Sequence, residues 1–266
     1  MPIIHFAHAN GFPAASYKKL WQQFPRDWNI IAKDKFGHDD RYPVSDNWQN
    51  QVEELIEFVE QQAQGEPVYA VGHSFGSVIS FMACCRRPEL FRGLIMMDPP
   101  LLIGAMSPFF QIAKKTPFID HIVPSGKSKK RKAHWHHDED VLAYFKPKAL
   151  FRYFDEDCLV DYVRSATKKE KNGTRLAYEV AVETQIFRNI PHNMHTFDQQ
   201  LQCPAKLISA QYSNACFAPM IRRFLKGHPG MQHHRYRGVG HMFPFEKPLP
   251  TSKLIVETIN EWSNAE

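Results

Sequence analysis

Apolar and polar positions along the first hundred residues follow two alternating rhythms. Short, largely apolar runs at residues 3–7, 28–32, 68–71 and 93–97 stop at polar or turn-forming residues, and they predict strands buried on both faces. Between them the period lengthens. Residues 14–24 can form a helix, residues 47–62 place Trp48, Val52, Leu55, Ile56 and Val59 at the three-to-four spacing of an amphipathic helix, and a third helix is expected over 75–86. Strand and helix in alternation predict a parallel sheet covered by helices, an α/β fold.

The rhythm breaks between residues 99 and 191. That stretch has helical patterns at 141–145, 148–153, 157–166 and 180–187 and no convincing parallel strand. Alternation resumes with a strand at 205–209, a helix at 219–226, a strand-like run at 233–237 and a closing helix at 252–263. The chain therefore divides into a core of residues 1–98 and 192–266 and a helical insertion, a cap, over 99–191. No internal repeat interrupts this pattern.

Bulk properties narrow the function classes. At 266 residues, with 43% hydrophobic and 13% aromatic residues, the composition is globular. No run approaches the ~18 apolar residues of a membrane span. Met1-Pro2-Ile3-Ile4-His5-Phe6 has no basic segment leading into an apolar core and a cleavage site, so a cytoplasmic protein is expected. Five cysteines without CxxC spacing indicate neither a disulfide framework nor a zinc site. The net charge of +5 is concentrated in Lys127-Ser128-Lys129-Lys130-Arg131-Lys132, which reads as a solvated loop rather than a nucleic-acid surface.

The sharpest chemical signal is Gly72-His73-Ser74-Phe75-Gly76, directly after one expected strand and directly before a helix. Glycines on either side let the chain turn sharply and hold the Ser74 hydroxyl clear of its neighbours. A serine hydroxyl needs a base to take its proton. Of 14 histidines, His241 lies in the loop between the last strand and the last helix, where such a base belongs. His233 and His234 fall within a strand-like run, and His134, His136 and His137 in the insertion are read as surface groups rather than metal ligands. No cofactor or metal is called for.

The acid that orients His241 is less evident, because the loop after residue 209 contains no carboxylate. Asp98, at the end of the strand that follows the serine, is the first candidate, and Asn214 is an uncharged second. The oxyanion of an acyl-transfer intermediate needs amide donors. Phe75, at a helix N-terminus, should supply one, and Phe12, in the loop His8-Ala9-Asn10-Gly11-Phe12-Pro13, the other.

Together these segments resemble the α/β-hydrolase superfamily, in particular its small capped serine esterases. Residues 8–13 look like the family's oxyanion loop, Asp34-Lys35-Phe36-Gly37-His38 like its D-x-x-G-H loop, residues 72–76 like its nucleophile elbow, and Gly240-His241 with Glu246-Lys247-Pro248 like its histidine loop. The resemblance implies a lid where the insertion falls. It also implies about six sheet strands, since the chain opens on what would be the family's third strand. Serine rather than aspartate at the elbow argues against epoxide hydrolase or dehalogenase chemistry. The implied activity is acyl transfer to water, a carboxylesterase first, with thioesterase, lactonase, amidase and C–C hydrolase as relatives. The implied substrate is a small ester or thioester with an apolar acyl part. A non-catalytic binding module on the same fold is the reading from another class.

Overall fold

The structure is a computed structural model, and it describes residues 1–104 and 106–264. Its main sheet has six strands: β1 (Ile3–Ala7), β2 (Asn29–Ile31), β3 (Val68–His73), β4 (Phe91–Met97), β8 (Ala205–Tyr212) and β9 (Gln232–Gly240). Their order is β2-β1-β3-β4-β8-β9, and every neighbouring pair is parallel. The strand count and α/β class read from the sequence both hold. Alternate residues of the central strands feed opposite layers. Val68 and Ala70 of β3, with Leu94 and Met96 of β4, enter one apolar cluster, whereas Tyr69, Val71, Ile95 and Met97 enter the other. Such two-sided burial is why these strands read as continuous apolar runs.

The helices supply the covering layers. On one face lie α2 (Gln49–Ala63) and α3 (Phe75–Arg86), through Val52, Leu55, Val78 and Phe81. The other face receives Leu20 of α1 (Lys18–Trp21) and Ile255 and Ile259 of α12 (Pro248–Ser263). Between β4 and β8 the chain forms α4 (Met106–Ala113), α5 (Ile119–Ile122), α6 (Ser125–Ser128), α7 (Val141–Phe145), α8 (Glu156–Ala166) and α9 (Val180–Arg188). After β8 come α10 (Ala218–Gly227) and the short α11 (Phe243–Glu246). No helix among the described residues is long and apolar enough to cross a membrane.

The inserted stretch departs from expectation in three ways. It is not helical throughout, since β5 (His134–Trp135), β6 (Thr167–Glu170) and β7 (Gly173–Leu176) form an antiparallel sheet in the order β5-β7-β6. Glu170 pairs with Gly173, so Lys171-Asn172 is a two-residue hairpin loop. Thr167-Lys168-Lys169-Glu170 has no apolar alternation to betray a strand, although Asn172-Gly173 is a recognised hairpin cue. Second, residues 148–153 form only a 3-10 turn at Ala149–Phe151; in the core, likewise, residues 14–24 form a 3-10 turn at Ala14–Tyr17 followed by the single turn of α1. Third, the basic run is not uniformly solvated. Arg131 turns inward and places its guanidinium 2.5 Å from the Glu183 carboxylate and against the Tyr162 hydroxyl. The aromatic residues of this stretch join the core clusters too, Trp135, Phe145, Phe151 and Tyr162 in one and Phe110 and Tyr178 in the other.

Candidate active site

Strand β3 ends at a sharp corner whose apex is Ser74, with φ 54° and ψ −117°. A side chain in that region costs about 1–3 kcal/mol, so the surroundings must hold it there. The Ser74 amide donates to the Met97 carbonyl at 2.8 Å, and the Ser77 hydroxyl donates to the Ser74 carbonyl at 2.5 Å. The flanking glycines are demanded by space. A Cβ on Gly72 would lie 2.5 Å from the Gly76 carbonyl oxygen, and one on Gly76 would lie 2.1 Å from that of Ala7. Phe75 opens α3, so its amide belongs to the first turn, where no intrahelical acceptor exists.

Neighbouring parallel strands end at one edge of the sheet, and that edge gathers the other expected residues. Asp98 follows β4, Ala210 and Ser213 lie at the end of β8, and His241 follows β9. The Asp98 side chain is wholly buried. One of its oxygens accepts the Ala210 amide at 2.9 Å, and the other accepts the Ser213 hydroxyl and His241 Nδ1 at 2.5 Å. A carboxylate only accepts, so Nδ1 carries the proton and the Nε2 lone pair faces the Ser74 hydroxyl, at 3.0 Å. His241 keeps 29% of its side chain exposed and Asp98 none, so the line Asp98–His241–Ser74 is sealed from solvent at its acid end. Glu246 holds the histidine loop by accepting the Gly240 amide at 2.8 Å. His233 instead meets the Ser209 hydroxyl at 2.9 Å, and Asn214 makes no hydrogen bond to His241 among the described residues.

The first loop corrects one expectation. The Phe12 amide donates to the Ala9 carbonyl at 3.0 Å, closing a turn around Asn10 and Gly11, and is not free for an oxyanion. The Phe12 side chain packs on Tyr162 and Phe245, with ring centroids 4.8 and 5.2 Å away. The Ala9 carbonyl also accepts His8 Nδ1 at 2.9 Å, while His8 Nε2 accepts the Phe36 amide at 3.0 Å. Burial lowers the His8 pKa to about 4, so the ring is neutral and its tautomer is set by these two partners. The Ala9 amide is taken by the Tyr17 hydroxyl at 3.1 Å. The Asn10 backbone amide has no hydrogen-bond acceptor among the described residues. In a trans peptide it points opposite to the Ala9 carbonyl, away from the turn. The Asn10 side chain reaches across to α9, donating to the Glu183 carbonyl at 2.9 Å.

Fold and site define an α/β hydrolase with a serine at the elbow. A family model described as the α/β hydrolase fold matches residues 9–248, and the chain belongs to that family. Rat (Rattus norvegicus) monoglyceride lipase is 33% identical over 113 residues, 40% of this chain and 37% of the lipase, so the chain spans little more than a third of that relative. E-2-(acetamidomethylene)succinate hydrolase superposes with a TM-score of 0.81 at 18% identity, covering 97% of this chain and 91% of that one. A peroxisomal α/β-hydrolase of Saccharomyces cerevisiae gives a TM-score of 0.83 at 15% identity, covering 99% and 78%. At these identities the structural likenesses speak to the fold.

Proposed function

We propose that the chain is a serine hydrolase that cleaves ester-like bonds through an acyl-enzyme, a carboxylesterase in the first instance. The observation that carries this reading is the hydrogen-bonded line from Asp98 through His241 to Ser74. In the proposed reaction His241 Nε2 takes the Ser74 proton as Oγ attacks the carbonyl carbon, and then returns it to the leaving group. Water, deprotonated by the same nitrogen, releases the acid. Asp98 fixes the tautomer and stabilises the imidazolium. The Phe75 and Asn10 amides form the oxyanion hole, Asn10 replacing Phe12 because the Phe12 and Ala9 amides are already engaged and the Asn10 amide points away from the turn. Loss of one such donor typically removes roughly 3 kcal/mol of transition-state stabilisation.

Residues 99–191 act as a cap in this reading. Their contacts with the oxyanion loop, through Glu183 on Asn10 and Tyr162 on Phe12, support that role. The substrate is a small ester or thioester with an apolar acyl part, and similarity to a relative named monoglyceride lipase supports an ester. A series of p-nitrophenyl esters of increasing acyl length tests the proposal. It should give saturable hydrolysis that Ser74→Ala lowers by several orders of magnitude, with one chain length preferred. Ser74→Ala retaining more than a few per cent of wild-type turnover would sink it.

A further inference from the structure

His73 and Tyr17 take part in neither proton transfer nor oxyanion binding, yet both are buried between the parts that do. His73 Nε2 lies 2.9 Å from the backbone carbonyl of His241, and His73 Nδ1 lies 2.7 Å from the Tyr17 hydroxyl. That hydroxyl in turn accepts the Ala9 amide at 3.1 Å. The directions follow from the chemistry of each group. A carbonyl only accepts, so Nε2 must carry a proton. Nδ1 of the neutral ring is then the acceptor, and the Tyr17 O–H donates to it. Burial foremost, with His241 adding to it, lowers the His73 pKa to about 3, so the ring stays neutral at working pH. The chain runs in one sense from Ala9 N–H through Tyr17 and His73 to the His241 carbonyl.

We propose that Tyr17 and His73 are positioning residues that tie the base loop and the oxyanion loop to the elbow through this single hydrogen-bonded relay. The inference rests on the hydrolase reading above, because it assigns the relay to placing His241 and the Ala9–Asn10 peptide. His73 is covalently next to Ser74, so the nucleophile, the base and the Asn10 donor are all referred to one fixed point. The His241 imidazole is held by Asp98 and its own backbone by His73. Displacements of about 1 Å at a reacting group can lower turnover about 100-fold.

The test combines kinetics on p-nitrophenyl butyrate with histidine NMR. Tyr17→Phe removes one oxygen and keeps the ring that packs on Phe6 and Phe245. It should lower kcat about 10- to 100-fold with KM changed less than about threefold. His73→Gln, whose amide can still donate to the His241 carbonyl, should retain more activity than His73→Phe. Combining Tyr17→Phe with His73→Phe should cost no more than the worse single change, because both interrupt one chain. Long-range 1H–15N spectra should give His73 as the Nε2–H tautomer in the wild type and lose that single form in Tyr17→Phe. The proposal is overturned by a Tyr17→Phe kcat within twofold of wild type, by multiplicative losses in the double variant, or by an Nδ1–H tautomer in the wild type. Should the wild type hydrolyse none of the esters, the hydrolase reading fails separately, and the tautomer still decides the relay.

Discussion

Asp98 bears the sharpest single-residue consequence. Its carboxylate is fully buried and engages the Ala210 amide, the Ser213 hydroxyl and His241 Nδ1. Asp98→Asn presents an amide where only an acceptor serves, so His241 adopts the wrong tautomer and turnover should fall by ~10⁴, the size of the equivalent change in a serine protease. Ser213→Ala removes one of the three partners and should cost much less, and Asn214→Ala least of all, measured as kcat at neutral pH. Equal losses for Asp98→Asn and Asn214→Ala would mean that the acid is misplaced. Ser74 and His241 were legible because each lies in a local motif bounded by recognisable elements. Asp98 was legible only by elimination, since pairing it with His241 requires knowing that β4, β8 and β9 are neighbours. The Phe12 amide was misread because its direction depends on a turn with Gly11 at φ 78°, which no spacing rule reveals.

At the scale of elements, β1 and β3 carry an unusual load of buried imidazole. His5, His8 and His73 lie on or directly after these strands, and burial lowers their pKa values to about 3, 4 and 3. Above pH 6.5 all three are neutral whether the chain is folded or not. Below that value the unfolded chain takes up protons that the folded chain refuses, so stability is lost as the pH falls toward 4. Glu54 acts in the opposite sense. Burial raises its pKa to about 7, and between pH 7 and 4.5 the folded state is the better proton binder. Burial also lowers the pKa values of His38, His192, His228, His233 and His234, so the histidines outweigh Glu54, stability is lost on acidification, and urea midpoints should fall between pH 7 and pH 5. Neither ring nitrogen of His5 has a hydrogen-bond partner among the described residues, so His5→Leu should make that slope shallower by about one proton without destabilising the protein at pH 7.5. A midpoint that holds steady or rises on acidification would contradict this balance. The strands themselves were readable because both faces are apolar, with the exposed edge strand β9 underestimated at both ends. The hairpin of β6 and β7 was missed because its residues are polar and its burial slight.

For the whole molecule, a single parallel sheet organises everything proposed here. Four strands each deliver one proposed part to the same end of the sheet: β1 the oxyanion loop, β3 the elbow, β4 the acid, and the edge strand β9 the base. The order β2-β1-β3-β4-β8-β9 sets these parts side by side although 167 residues separate Ser74 from His241 along the chain. That convergence follows from alternating strands and helices, which is why fold class and core could be read early. The insertion could be bounded from sequence but not drawn, because its packing relies on long-range aromatic contacts such as Phe154 stacked on Phe245 at 4.8 Å. The central claim is that this edge makes Ser74 a nucleophile, and intact-mass and peptide mass spectrometry after treatment with a fluorophosphonate tests it most directly. The account predicts one adduct per chain, located on Ser74, formed quickly in the wild type and slowly or not at all in His241→Ala. No adduct on the folded wild type, or an adduct on another residue that persists in Ser74→Ala, would contradict it.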